Sequence, residues 1–204
     1  MKDQKHLKNS AISFIILTLL AIYGLGLTIY NNFIGSISSS PIIHISIIIL
    51  TIIAYSLVLK GFLIIAKKNN KLRKLSFVYF ILFMLLSTIQ SIQSIRIQPI
   101  IEIVNSLFVG SPLILILFGV GITAIIFGKE LFNLKGKYGN SIKGFAIMTI
   151  IYGITDIILI PFVFFSAIFS APYLLLVPPL LAPILIMTTS IFGAMFFLNA
   201  TKQH

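Results

Sequence analysis

Apolar runs and short polar segments alternate along the whole chain, and the runs are long. A stretch of about 18 or more apolar residues with few charges is long enough to cross a bilayer as a helix. Six such spans are predicted, at about Ala11–Tyr30, Ile42–Ile65, Leu75–Ile95, Leu107–Phe127, Gly144–Phe169 and Tyr173–Leu198. At about 1.5 Å of rise per residue, some 20 residues cover the roughly 30 Å hydrocarbon core. The fifth and sixth runs exceed that length, so they tilt, kink or extend into the interface. The first run is too long for the core of a signal peptide and has no small-residue cleavage pattern after it, so it reads as a retained helix.

The basic residues give these spans a direction. Lys2, Lys5 and Lys8 precede the first span, and Lys67, Lys68, Lys71, Arg73 and Lys74 separate the second from the third. Lys129, Lys135, Lys137 and Lys143 surround the connector of spans four and five, and Lys202 follows the sixth. The alternate connectors hold only Arg96. Because loops on the cytoplasmic side keep Lys and Arg, this alternation predicts an all-α, six-helix transmembrane bundle with short loops and both termini inside. The outer loops, Asn31–Pro41, Arg96–Ser106 and the residues around Pro172, leave no room for an extracellular domain.

Composition agrees and narrows the classes. Of the 204 residues 58% are hydrophobic and 9% charged, against about 25% charged in a soluble domain. That balance excludes a soluble enzyme, a nucleic-acid-binding module and a secreted disulfide scaffold. There is no Cys, hence no disulfide, thiolate metal site or cysteine nucleophile. There is no Trp, so an interfacial aromatic belt must be built from Tyr and Phe. The net charge of +11 is accounted for by topology and points to anionic lipid headgroups at the inner face rather than to nucleic acid.

The two larger inner connectors share a plan, a basic stretch with Asn near the turn: Lys67-Lys-Asn-Asn-Lys71 and Lys135-Gly-Lys-Tyr-Gly-Asn140. They read as two basic loops of the usual kind rather than as a duplicated hairpin. The second, Leu131-Phe-Asn-Leu-Lys-Gly-Lys-Tyr-Gly-Asn-Ser-Ile-Lys-Gly144, resembles an inner-loop pattern of uncharacterised multi-pass membrane proteins of Sulfolobus-type archaea, through Leu134, Gly136, Tyr138, Asn140, Lys143 and Gly144. The resemblance covers about twenty residues. It implies a multi-pass protein of an archaeal plasma membrane and brings no known activity.

Among residues able to carry chemistry, Asp156 stands out. It falls about 18 Å along the fifth span from Gly144, near the midplane, where a carboxylate costs about 2.5–3.5 kcal/mol on the insertion scale. It must therefore face protein or water. Pro161 follows and cannot donate to the carbonyl of Ile157, which loosens the same helix. This layout suits an ion or proton pathway, and equally a packing bond to a neighbouring helix. In the third span Ser87, Ser91, Ser94 and Gln98 share one face, flanked by Gln90 and Gln93. They line a wet cavity or make interhelical hydrogen bonds, each worth only about 0.6 kcal/mol on average. Arg96 and Glu102 pair across a turn through Pro99.

Lys60 lies inside the second apolar run, and its stem extends to the headgroups unless it meets Asp156. His6, His44 and His204 form no metal-binding spacing. Close helix approach is expected at Gly24 and Thr28, at Gly121, Ala124 and Gly128, and at Ser190 and Ala194. Pro172, Pro178, Pro179 and Pro183 predict a broken start to the last helix, whose regular part begins near Pro183, with Tyr173–Ala182 re-entrant or interfacial. No His-Glu-x-x-His, Gly-x-Ser-x-Gly or phosphate-binding Gly-Lys-Ser/Thr motif occurs, so neither catalysis nor a cofactor is expected. Two roles remain: a structural or accessory component of a homo- or hetero-oligomeric membrane assembly, and a small transporter or channel using Asp156.

Overall fold

The structure, a computed structural model, describes residues 2–33, 41–94, 111–169 and 177–203. Its helices are α1 (Lys2–Phe33), α2 (Pro41–Ile65), α3 (Asn70–Ser94), α4 (Ser111–Phe132), α5 (Lys135–Phe169) and α6 (Val177–Gln203), with a short 3-10 turn, Ala66–Lys68, between α2 and α3. All six contain segments long and apolar enough to cross a membrane. Each helix packs on its neighbours in sequence, and α6 returns to pack along α1, so the bundle is a closed ring in chain order.

Side-chain pairs show that neighbours run antiparallel. Ser10 of α1 meets Leu57 of α2, Lys71 of α3 meets Glu130 of α4, and Phe14 of α1 meets Phe197 of α6. The start of α1, both described connectors and the end of α6 therefore share one end of the bundle. That end carries every described lysine and arginine. The other three connectors, with Arg96, Gln98 and Glu102, fall outside the described residues.

The ring is apolar on both sides, as a membrane solvent requires. Outward faces carry Ile12, Ile15, Leu19 and Ile22 on α1, Ile45, Ile49 and Ile53 on α2, and Ile151, Ile154 and Ile158 on α5, all exposed. In water such a surface would aggregate; in lipid it costs nothing. Association of the helices must then come from packing, because lipid tails are as apolar as the side chains they replace.

Two packing devices supply it. Along the seam between α4 and α5 small residues bring backbones together. A Cβ on Gly121 would lie 2.9 Å from the Gly153 carbonyl oxygen, and one on Gly128 would lie 2.8 Å from that of Ala146. The stripe Gly121, Ala124 and Gly128 is thus the contact its spacing predicted. Elsewhere rings seat on glycines, Phe14 on Gly193 and Phe192 on Gly144, while Gly61 receives Ser10 and Phe197. At Gly24, by contrast, a Cβ would meet nothing within 4 Å, so this glycine makes no close helix contact among the described residues; Thr28 bonds back to the Gly24 carbonyl at 2.9 Å.

The connectors differ once folded. Asn69 closes the 3-10 turn through its backbone N–H to Ala66 O at 2.8 Å. Its Oδ1 then accepts the N–H of Leu72 at 3.0 Å and so caps α3. After the second connector the start of α5 is interrupted by a kink at Gly139, where φ is 68°, a value that glycine adopts without steric cost. The kink folds Tyr138 inward against Phe196, ring centroids 5.5 Å apart.

The prolines break less than their number suggested. Helix α6 already begins at Val177, so residues 177–182 are helical rather than broken, and the regular part starts before Pro183. Pro178 and Pro179 fall in its first turn, where backbone N–H groups have no intrahelical acceptor to lose. Pro183 and Pro161 each lie inside a continuing helix. In a bundle the carbonyls they free are tolerated by local adjustment. Residues 173–176 are outside the described part.

Candidate functional site

The core of the ring is layered along its axis. Near the basic end Phe62 touches the rings of Phe80, Phe127, Phe145, Phe196 and Phe197, at centroid distances between 4.9 and 6.0 Å. Phe62, Phe127, Phe196 and Phe197 are wholly buried. Among the described residues no charged side chain intrudes between these rings, so the layer is an apolar plug.

Toward the midplane the composition changes. Tyr55 of α2, Tyr79 of α3 and Tyr152 of α5 turn their rings inward beside Phe83, with Thr189 and Ser190 of α6 opposite. These groups wall a cavity of about 20 Å³, room for about one water. The helix periodicity of α5 explains the placement. Thr149, Tyr152 and Asp156 recur at spacings of three and four and all face the interior. Thr149 satisfies its hydroxyl on the Phe145 carbonyl at 2.8 Å.

Asp156 retains 7% exposure and so sits in the protein interior, not against lipid. The hydroxyl of Tyr152, one turn back, hydrogen-bonds its carboxyl group. Oδ2 of Asp156 and Oγ1 of Thr189 are buried without a hydrogen-bond partner among the described residues. Tyr55 and Tyr79 are close enough to interact electrostatically with each other, and Tyr79 with Asp156. The arrangement can hold a water or a proton. It offers one carboxylate and several hydroxyls, and no group of three His, Cys, Asp or Glu able to hold a metal occurs among the described residues.

The other residues singled out by sequence are only partly brought here. Ser87 reaches this layer through a side-chain hydrogen bond with Tyr55. The side chains of Gln90, Ser91 and Ser94 lie outside the described residues, so Ser87 alone ties that stripe to the site. Lys60 does not approach Asp156; it lies at the basic end with Asp3, Lys67 and Arg73. Pro161, Pro178, Pro179 and Pro183 contribute no break to it. What sequence reasoning missed is the tyrosine layer. Tyr55 and Tyr152 lie well inside their predicted apolar spans, whereas a belt tyrosine belongs at a span's end; that misplacement was the available signal, together with the four-residue step from Tyr152 to Asp156, while Tyr79, one turn from the predicted start of its span, gave none.

Compared with known proteins, the chain matches no family model, no curated protein and no solved structure. The site has to be read from its own geometry.

Proposed function

We propose that this multi-pass membrane protein is a non-catalytic structural or accessory component of a membrane assembly. In this reading it resides in the cytoplasmic membrane of an archaeal cell, its basic end and both termini inside, against anionic headgroups. One observation carries the role: the axis of the ring is filled by the Phe62 cluster, and the polar layer beyond it encloses only about 20 Å³. A bundle so packed holds a shape and presents outer faces; it does not provide a path. The segregation of lysines to one end supports the orientation, since cytoplasmic loops retain them.

A second reading is favoured by a different observation. Asp156 is inside the ring, its Oδ2 lacks a partner among the described residues, and its neighbour Tyr152 borders a small cavity that Thr189 and Ser190 also line. Intramembrane carboxylates in such settings mark proton or ion pathways. Liposomes holding wild-type protein or Asp156→Asn, loaded with a pH-sensitive dye and placed under proton and then sodium gradients, separate the two. The structural role expects flux equal to that of empty vesicles for both proteins. Flux present in wild type and abolished by Asp156→Asn would replace it with the pathway.

A further inference from the structure

The basic end contains a groove that neither reading of the core uses. Lys60, Leu63, Ile64 and Lys67 recur at spacings of three, one and three, so they form one face of the end of α2 and the turn after it. Arg73 from the first turns of α3 and Asp3 from the first turn of α1 close the sides. Together they enclose about 340 Å³, within the range of about 300–1,000 Å³ typical of ligand pockets.

Charge is what sets this groove apart. Lys60, Lys67 and Arg73 against Asp3 leave two net positive charges in one concavity. None of the three cations has an ion-pair partner among the described residues. Lys71, on the same connector, is by contrast paired with Glu130 of α4. Three exposed cations, two from the end of α2 and its turn and one from α3, converge over an apolar floor of Leu63 and Ile64 and suit an anion with an apolar side. A guanidinium and two ammonium groups suit phosphoryl oxygens. The floor continues onto the lipid-facing surface of α2, where Ile49, Ile52 and Ile53 are exposed.

From this geometry we infer that the groove is a binding site for a phosphate-bearing lipid headgroup of net negative charge, the phosphate held by Lys60, Lys67 and Arg73 and the glycerol end resting on Leu63 and Ile64. Asp3 opposes the bound charge and limits affinity. The inference needs only that the bundle crosses a bilayer, not either role proposed for its core.

The test is retention of lipid by the full-length protein in native mass spectrometry after exchange into phosphatidylglycerol or phosphatidylcholine. Wild type is expected to retain phosphatidylglycerol selectively. Each basic residue near a membrane surface contributes about fivefold to such binding, so Lys67→Gln with Arg73→Gln is expected to lose roughly 25-fold. Asp3→Asn is expected to gain several-fold, a change of sign that a misfolded protein cannot give. Lys202→Gln, which removes a charge at the same end but outside the groove, should stay within about twofold, since specificity resides in the concavity. Equal retention of both lipids, or an equal loss from Lys202→Gln, overturns the site. Competition with inorganic pyrophosphate separates the sources: displacement by submillimolar pyrophosphate would assign the groove to soluble phosphates and overturn the lipid, whereas no displacement keeps it with the headgroup.

Discussion

Around Phe62 the interior consists of aromatic rings in mutual contact, whereas a few turns further along α5 three tyrosines, a threonine, a serine and a carboxylate gather beside Phe83 and Ile186. The first layer contains no group whose needs exceed what the packing supplies. The second contains two buried oxygens, Asp156 Oδ2 and Thr189 Oγ1, with no partner among the described residues. Both layers face the same axis, are drawn from the same helices and are sealed from lipid by the same ring. The difference teaches that burial and stabilisation are separable here: the aromatic layer holds the helices together, and the polar layer is a load that the aromatic layer supports.

The largest effect is therefore expected from Phe62→Ala. In lipid the transfer part of the usual penalty disappears, because alanine and phenylalanine are both leaving apolar surroundings. What remains is the void, and a cavity on the order of 100 Å³ at about 24 cal/mol per Å³ costs about 2–3 kcal/mol. The midpoint of SDS-induced unfolding, followed by circular dichroism, should fall accordingly. An unchanged midpoint would mean that the rings are a loose filling and would erase the distinction between the layers.

A smaller loss is expected from Tyr152→Phe, which removes the side-chain donor to Asp156 without changing shape. The bond lies within α5, so a separated helix can keep it, and only the burial of its acceptor inside the closed ring raises its worth above the roughly 0.6 kcal/mol average of hydrogen bonds in a bilayer. A loss of about 1 kcal/mol is expected. Combining it with Asp156→Leu should recover most of that loss, since replacing both partners by apolar groups is nearly neutral. If the double variant is instead much weaker than Tyr152→Phe alone, the carboxyl group supports the bundle and the polar layer is no load.

Much of this architecture is legible in the residue pattern alone. Lysines confined to alternate connectors mark out the six helices, because each charge shows a place where the chain leaves the hydrocarbon. The spacing of Gly121, Ala124 and Gly128 points to the α4–α5 seam, and the depth of Asp156 requires an interior position. At Gly24 the same reasoning from small residues meets open space, since spacing shows that two residues share a face but not which neighbour that face meets. The prolines of α6 mislead because a helix's first turn has no intrahelical bonds for them to break. The tyrosine layer stays hidden for a related reason: a tyrosine is at home at the interface and in a polar core alike, and only the closing of the ring decides between them. The groove of Lys60, Lys67 and Arg73 draws on three segments and becomes visible when α1, α2 and α3 are brought to one end.

The smallest change, Thr189→Val, is the most discriminating for the polar layer. Thr189 is 9% exposed and its hydroxyl has no partner among the described residues, yet it borders a cavity with room for about one water. If that cavity is dry, valine removes an unmet polar group while keeping the volume. An orphaned hydroxyl costs about 1–3 kcal/mol, but the separated helix in lipid can satisfy it on its own backbone carbonyl one turn back. The expected gain is thus reduced to about 0.5–1 kcal/mol. If a water bridges Thr189 to the tyrosines, the same substitution strands that water and the midpoint moves down instead. A rise keeps the polar layer as an unrelieved load carried by the Phe62 cluster. A fall makes it a hydrated site, and with it strengthens the pathway reading, because Tyr152 would then connect the Asp156 carboxyl group to resident water with which it can exchange a proton.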